Sequence, residues 1–471
     1  MKDLEQSQRK QTTKYLGHLE EVEVELLGNQ GALSGVLGNS KRERENDELT
    51  DTSDLLDRIL ARDNMLKAMK RVIANKGSHG VDGMGYDELR GFVINNWLKV
   101  KAKLLEGKYI PSPVRRVEIP KPDGGIRLLG IPTVLDRMIQ QAIAQELSKI
   151  YEPTFSNSSY GFRPKRQAKM AILKAKEYIN EGNRWVVDLD LEKFFDKVNH
   201  DILMQRLSRK IKDRRVLRII RKYLESGIMV EGLKVSSKEG TPQGGPLSPL
   251  LSNIMLDEID KELEARGHRF CRFADDCNIY VKSKKAGIRV MQSMTRLLEG
   301  KLKLKVNREK SKVDLVTRRK FLGFSFYFDK NGAQVRIHEK SYRKLKAKIR
   351  EITNRNKGIS MEYRLKRLNE ITVGWINYFS IAKAKSRIKE LEEWLRRRLR
   401  ACIWKQWKKV KTKFANLKKL GIDKQKSWEY ANTRKGYWRI SKSPILSRTL
   451  TNAYLESIGY KSITKRYQLM H

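Results

Sequence analysis

The sequence predicts an α+β fold over residues 51–330 and a helical region over residues 331–471. Before Asn331, helical and β-branched stretches alternate irregularly, without the strand–helix–strand repeat that builds a parallel sheet. Beyond it, apolar residues recur at helical spacing throughout. Charge separates the two ends of the chain: residues 1–50 are net −3, whereas residues 331–471 carry +27 of the total +45.

Residues 1–50 read as a polar extension, with GNQGALSGVLGNS as linker and KRERENDELT as a solvated charge run, and no chemistry is assigned to them. A helix is predicted from Asp51 through LLDRILARDNMLKAMKRVIANKG, with Thr52 or Ser53 as N-cap and Gly77 as its stop. A second follows in VLDRMIQQAIAQELSKIY, where Leu135, Met138, Ile139, Ala142, Ile143 and Leu147 fall on one face. RWVVDLDL is short, β-branched and preceded by Gly182 and Asn183, so it reads as a strand. RFCRFADDCNIYV reads as two short strands around a tight turn. After Asn331 come SYRKLKAKIREI, MEYRLKRLNEITVGWINYF and KSRIKELEEWLRRRLRACIWKQWKK, all helical.

A pI near 10.1, with 100 Lys and Arg against 55 Asp and Glu, points to a polyanionic partner. Six of the eight tryptophans lie in the basic region after residue 330, a mixture suited to base stacking and phosphate contact. Trp375 and Trp394 sit on apolar helix faces and read as core. Arg396, Arg397, Arg398 and Arg400 are the better nucleic-acid candidates. Cys271, Cys277 and Cys402 are odd in number and form no CxxC pair, which argues against a disulfide framework or zinc module and for a reducing compartment. With no apolar run long enough to span a bilayer and no apolar signal core, a soluble cytoplasmic chain with no membrane partner is expected.

Joining nucleotides with two metal ions requires carboxylates that converge on ions about 3.5–4 Å apart. Two places could supply them. In Val187-Asp188-Leu189-Asp190, period-2 alternation puts both acids on one strand face, and periodicity does not choose between them. In Phe273-Ala274-Asp275-Asp276, adjacent acids share a turn, where a cation would relieve their repulsion. A lone acid pair in a turn is more often a solvated turn than a metal site, so order and context have to decide.

The segments VRRVEIPKPDGGIRLLGIPTVLDRMIQQAI, SYGFRPKRQA, WVVDLDLEKFFDKVNHD, GTPQGGPLSPLLSNIMLDEID, CRFADDCNIYV, LKLKVNREKSKV and RRKFLGFSF follow one another along the chain. In composition and order, the stretch from Arg115 to Phe324 resembles the reverse transcriptase domain of group II intron proteins. GWINYF and WLRRRLRACIWKQWKK resemble that family's thumb and maturase region, and ANTRKGYWRISKS with ESIGYKSITKRY its DNA-binding segment. The resemblance implies a right-hand polymerase behind the extension 1–50: N-terminal motif and fingers over 51–180, palm over 181–330, an α-helical thumb and maturase region over 331–409, and a small DNA-binding domain over 410–471.

By the same resemblance, Asp190, Asp275 and Asp276 are the catalytic metal-binding acids, holding two Mg²⁺ ions, and Asp188 is a structural or solvated neighbour. Phe195 is the bulky residue that closes on the sugar 2′ position, with Phe194 beside it as core. Lys121 and Arg127, flanking the PDGG turn, grip the triphosphate; Gln243 lies under the nascent base pair; Lys310 stands near the leaving pyrophosphate. The family most often has Tyr where this chain has Phe273, so a hydroxyl is missing beside otherwise intact aspartates.

The function so implied is RNA-directed DNA synthesis from dNTPs on an RNA template and a DNA primer, copying group II intron RNA during insertion into a DNA target, with maturase help in folding and splicing that RNA. Four residues after Tyr467, with no cysteine pair and no His-Asn-His pattern, lead us to expect no endonuclease, as in compact class C bacterial introns. A domesticated reverse transcriptase in a defence or CRISPR-associated system would keep the enzyme and lose the intron. A non-enzymatic splicing factor would be expected to lose the acids, and all three are present.

Overall fold

A computed structural model describes residues 51–120, 125–230, 233–235, 239–241 and 244–470. The described residues are α+β, with helices and three sheets. The strands are β1 (Val114–Pro120), β2 (Ile126–Ile131), β3 (Trp185–Leu189), β4 (Ile228–Val230), β5 (Leu233–Val235), β6 (Arg269–Phe273), β7 (Asp276–Val281), β8 (Lys312–Leu315), β9 (Phe324–Asp329) and β10 (Gly332–Ile337). Sheet orders are β2-β1-β4-β5, β6-β7-β3-β8 and β10-β9.

Two compact units are built from interleaved segments. One runs to Gln167 and adds Val187–Ile279 and Ile288–Lys312; the other holds Ala168–Val186, Tyr280–Gly287 and the chain from Val313 onward.

In the first unit, helix Val134–Tyr151 is the central core element. Thr133 caps it by accepting from the Asp136 amide, and Met138, Ile139, Ala142, Ile143 and Leu147 are buried, each large aliphatic side chain contributing about 1.5–3 kcal/mol. Helix Arg62–Ala74 packs against it. The single first helix expected from sequence is two, Leu55–Ile59 and Arg62–Ala74. Asn64 is the reason: its amide donates to the Ile59 carbonyl at 2.8 Å and to Ala142 at 3.1 Å, holding the broken end of the first helix onto the core. Neither Thr52 nor Ser53 caps the start. Asp213, remote in sequence, accepts from the Leu56 amide at 2.9 Å, while the Thr52 hydroxyl donates to Lys210 O. The second helix ends at Ala74, ahead of Gly77, and Lys76 takes the left-handed position with φ 48°.

In the second unit, β9 and β10 form an antiparallel hairpin with register from Gly332↔Asp329 to Ile337↔Phe324. The helical region therefore starts at Glu339 rather than at Asn331, because GAQVRI alternates polar and apolar residues as a half-buried strand does. Helices Glu339–Ile352, Met361–Phe379 and Lys385–Gln406 follow, close to the predicted runs. Phe379 joins hairpin to helices, with its ring centroid 4.8 Å from Phe324 and 4.7 Å from Trp375. Helix Ile463–Gln468 closes on them: the Tyr467 hydroxyl donates to Ala382 O at 2.7 Å, and the Tyr460 hydroxyl bonds Glu392 at 3.1 Å.

Candidate active site

Asp190 follows the last residue of β3, where the chain leaves the sheet. Segment 305–311 holds it there. The Asn307 amide donates to the Asp190 carbonyl at 2.9 Å, the Asp190 amide donates to Ser311 Oγ at 3.0 Å, and the Glu192 amide donates to Lys305 O at 2.9 Å. Asp275 sits in the turn joining β6 to β7, and Asp276 opens β7, which is next to β3 in its sheet. Strand pairing thus carries acids 85 residues apart in sequence to one place.

Asp190, Asp275 and Asp276 line a single cavity of about 1120 Å³ within the first unit, with Phe162, Phe195 and Lys310 also on its wall. Asp188, half-buried like Asp190, does not line it. Desolvation pushes the Asp190 carboxyl above the usual carboxylate range. The Lys310 ammonium and a hydrogen bond from Asn307 oppose that shift, and the charges of Asp275 and Asp188 reinforce it. A carboxylate desolvated beside other acids gains from a nearby cation, and an all-oxygen donor set suits a hard divalent ion. These residues fit such ions in kind and location. The side chains have not converged, however: among the described residues, no three His, Cys, Asp or Glu groups stand close enough to hold a metal.

Phe195 is half-buried on the cavity wall, with its ring edge-on to the buried Phe194 at 5.2 Å. Lys193, at φ 48°, makes the sharp entry into helix Phe194–Lys197. Behind it, the segment before Gln243 is fastened by main-chain bonds from Thr241 N to Phe195 O at 2.6 Å and from Gly240 N to Val198 O at 2.8 Å. Phe195 also lines a smaller cavity of about 180 Å³ beside that segment.

Lys121, Gln243 and most of the PDGG turn lie outside the described residues. Arg127 takes its place in β2 opposite Ile119, in the antiparallel pairing with β1 expected for that hairpin, and its side chain is not described. Lys310 is exposed at the cavity. Arg396, Arg397, Arg398 and Arg400 of helix Lys385–Gln406 are only half-exposed. Three of them bond inward: Arg397 to Trp438 O at 2.9 Å, Arg398 to Thr353 Oγ1 at 2.5 Å, and Arg400 to Leu450 O at 2.9 Å. Trp375 and Trp394 are half-buried, not core, and Lys346, Arg350 and Arg398 lie against the Trp394 ring. Sequence reading passed over Asn307, Ser311 and Arg272, which hold the acids' backbone. Asn307 and Ser311 flank Lys310 inside a recognised motif, but only a tertiary partner reveals what they hold.

Residues 119–326 match the family model for reverse transcriptase (RNA-dependent DNA polymerase), and residues 342–421 match that for the group II intron maturase-specific domain. Protein YkfC of Escherichia coli K12 is 36% identical over 289 residues, covering 53% of this chain and 76% of that protein. The group II intron-encoded protein LtrA of Lactococcus lactis subsp. cremoris is 39% identical over 204 residues, covering 43% of this chain and 34% of LtrA. A 91 kDa protein in the cob intron of Schizosaccharomyces pombe is 36% identical over 209 residues, covering 44% and 26%. The chain thus spans about a third or less of the matched intron proteins. Reverse transcriptase domains work with divalent metal ions, and no helix among the described residues is long and apolar enough to cross a membrane. A reverse transcriptase domain carrying the acid-lined cavity, followed by an intron maturase domain, assigns the chain to the group II intron-encoded reverse transcriptase and maturase family.

Proposed function

We propose that this chain copies group II intron RNA into DNA, extending a DNA primer with dNTPs at a DNA target, and that it also helps the intron RNA to fold and splice. The observation that carries the reading is the meeting of Asp190, Asp275 and Asp276 in one cavity with Phe195 on its wall. Those acids would hold two divalent ions, magnesium in this reading, which when bound activate the 3′ hydroxyl and neutralise the triphosphate. Phe195, on the wall of the same cavity, would block a 2′ hydroxyl with its ring. Lys310 supplies positive charge for the pyrophosphate side, and Lys121 and Arg127 do so from the β1–β2 hairpin. Gln243 is assigned to the floor under the nascent base pair.

For nucleic acid, exposed lysines offer more than the arginine cluster. Lys408, Lys409, Lys411, Lys418, Lys419, Lys424 and Lys426 are exposed, close in sequence to Trp428, which is 59% exposed. All three cysteines are buried and none is in a disulfide, in keeping with a reducing cytoplasm.

Asp275→Ala tests the assignment. DNA synthesis on an RNA template should be abolished while binding of intron RNA stays near the parent's, because phosphate contacts are spread over many basic residues. Primer extension and filter binding on one preparation decide it, and retained extension would remove Asp275 from the site.

A further inference from the structure

Three residues before the acid pair, Arg272 lies in β6 with 1% of its surface exposed. A guanidinium has five N–H donors in a fixed plane, and here each has an acceptor. Nε and Nη2 grip the two oxygens of Asp260 at 2.7 and 2.5 Å. Nη2 also donates to Ser159 Oγ at 2.8 Å, and Nη1 donates to Asn253 Oδ1 at 2.9 Å. The remaining donor reaches the carbonyl oxygen of Ala274 at 2.9 Å.

That last bond distinguishes the arrangement from an ordinary buried ion pair. Ala274 has φ 58°, a left-handed conformation that a side chain disfavours. Its carbonyl belongs to the peptide plane shared with Asp275, so fixing that oxygen fixes the direction in which the Asp275 backbone leaves the turn. The opposite side is closed by Gly161: a Cβ there would stand 2.2 Å from Ala274 N. Asn253 ties the two sides together, since its Nδ2 donates to Gly161 O at 2.9 Å while its Oδ1 accepts from Arg272. Asn253 and Asp260 lie seven residues, or two turns, apart on helix Ser248–Ala265, on one face, with 1% and 0% exposure.

We propose that Arg272 is a positioning residue for the polymerase site: it clamps the strained Ala274 peptide to the Asp260–Asn253 face and so holds Asp275 and Asp276 where divalent ions can bridge them to Asp190. The inference rests on the reading of these aspartates as metal ligands. Lysine cannot replace it, because one ammonium cannot both saturate the Asp260 carboxylate and reach the Ala274 carbonyl in a planar fork.

The decisive variant is the pair Arg272→Met with Asp260→Leu, since apolar replacement of a buried ion pair is often neutral for stability and here removes only the clamp. Relative to the parent, kcat of primer extension should fall by about tenfold to a hundredfold with little change in the KM for dNTP, as expected when reacting groups are displaced. The magnesium chloride concentration giving half-maximal rate should rise as well. A purely structural role would lower the active fraction and leave that concentration unchanged. Parental kcat and parental magnesium dependence in a folded double variant would overturn the proposal. If the double variant does not fold, Gly161→Ala serves instead. Its Cβ pushes the Ala274 side of the turn with the Arg272–Asp260 pair intact, and the same two outcomes apply. A parent that extends no primer would sink the polymerase reading instead. Manganese binding by electron paramagnetic resonance would then still decide: weaker binding in the variants supports the clamp, and equal binding ends it.

Discussion

Gly240→Ala should weaken sugar discrimination although Gly240 does not itself line the acid-bearing cavity. Gly240 is buried at φ 93°, and a Cβ there would lie 2.9 Å from Asp196 O and 3.0 Å from Phe195 O. Both obstacles are main chain, so no rotamer change relieves them. An alanine in the left-handed region costs about 1–2 kcal/mol. If the backbones separate, the bonds Gly240 N to Val198 O and Thr241 N to Phe195 O are lost, each worth about 0.5–1.5 kcal/mol. The total is about 2–5 kcal/mol, and at about 2–4 °C per kcal/mol for a domain of this size the melting temperature should drop measurably. Because the displaced backbone is that of Phe195, preference for dNTP over NTP should fall by about tenfold, equivalent to 1.4 kcal/mol. Thermal unfolding and single-nucleotide incorporation on an RNA template measure the two effects. A lower melting temperature with unchanged discrimination would refute the reasoning: either the loop does not position Phe195, or Phe195 does not read the sugar.

Phe195→Ala should admit ribonucleotides more freely than Gly240→Ala does, since it deletes the ring rather than shifting it; equal discrimination in variant and parent would leave Phe195 as packing alone. RNA affinity should fall steeply with salt, each phosphate contact adding about 0.7 to 0.9 to the slope of log K against log salt. A slope near zero would contradict an electrostatic surface in a region of net charge +27.

Much of the fold was legible because its signals are local. Helix Val134–Tyr151 announces itself by apolar spacing and a threonine cap, and β6 and β7 by β-rich runs around an acid pair. Where tertiary partners override local preference, sequence reading slipped. Asn64 and Asp213 break and cap the first helix from outside it, and β10 extends the strands past the expected boundary. The site shows the same division. The acids are visible as motifs, but that Asp190 lines the cavity and Asp188 does not, and the bonds from Asn307, Ser311 and Arg272, appear only once distant segments meet.

The arginine run illustrates why charge in a sequence does not by itself mark a surface. On an α-helix successive residues turn by about 100°, so Arg396, Arg397, Arg398 and Arg400 cannot share one face. Leu395 and Leu399, buried among them, mark the direction of the core. Arg397 and Arg398, about 100° apart around the helix, meet Trp438 O and Thr353 Oγ1, acceptors that a planar guanidinium can reach. Lysine has no such fork and carries a strongly hydrated point charge on a flexible stem, so it stays outside. The two cations are placed accordingly: Arg397, Arg398 and Arg400 bond to neighbouring C-terminal segments, and lysines between residues 408 and 426 are exposed. Such a surface would attract a polyanion by charge density rather than by reading bases.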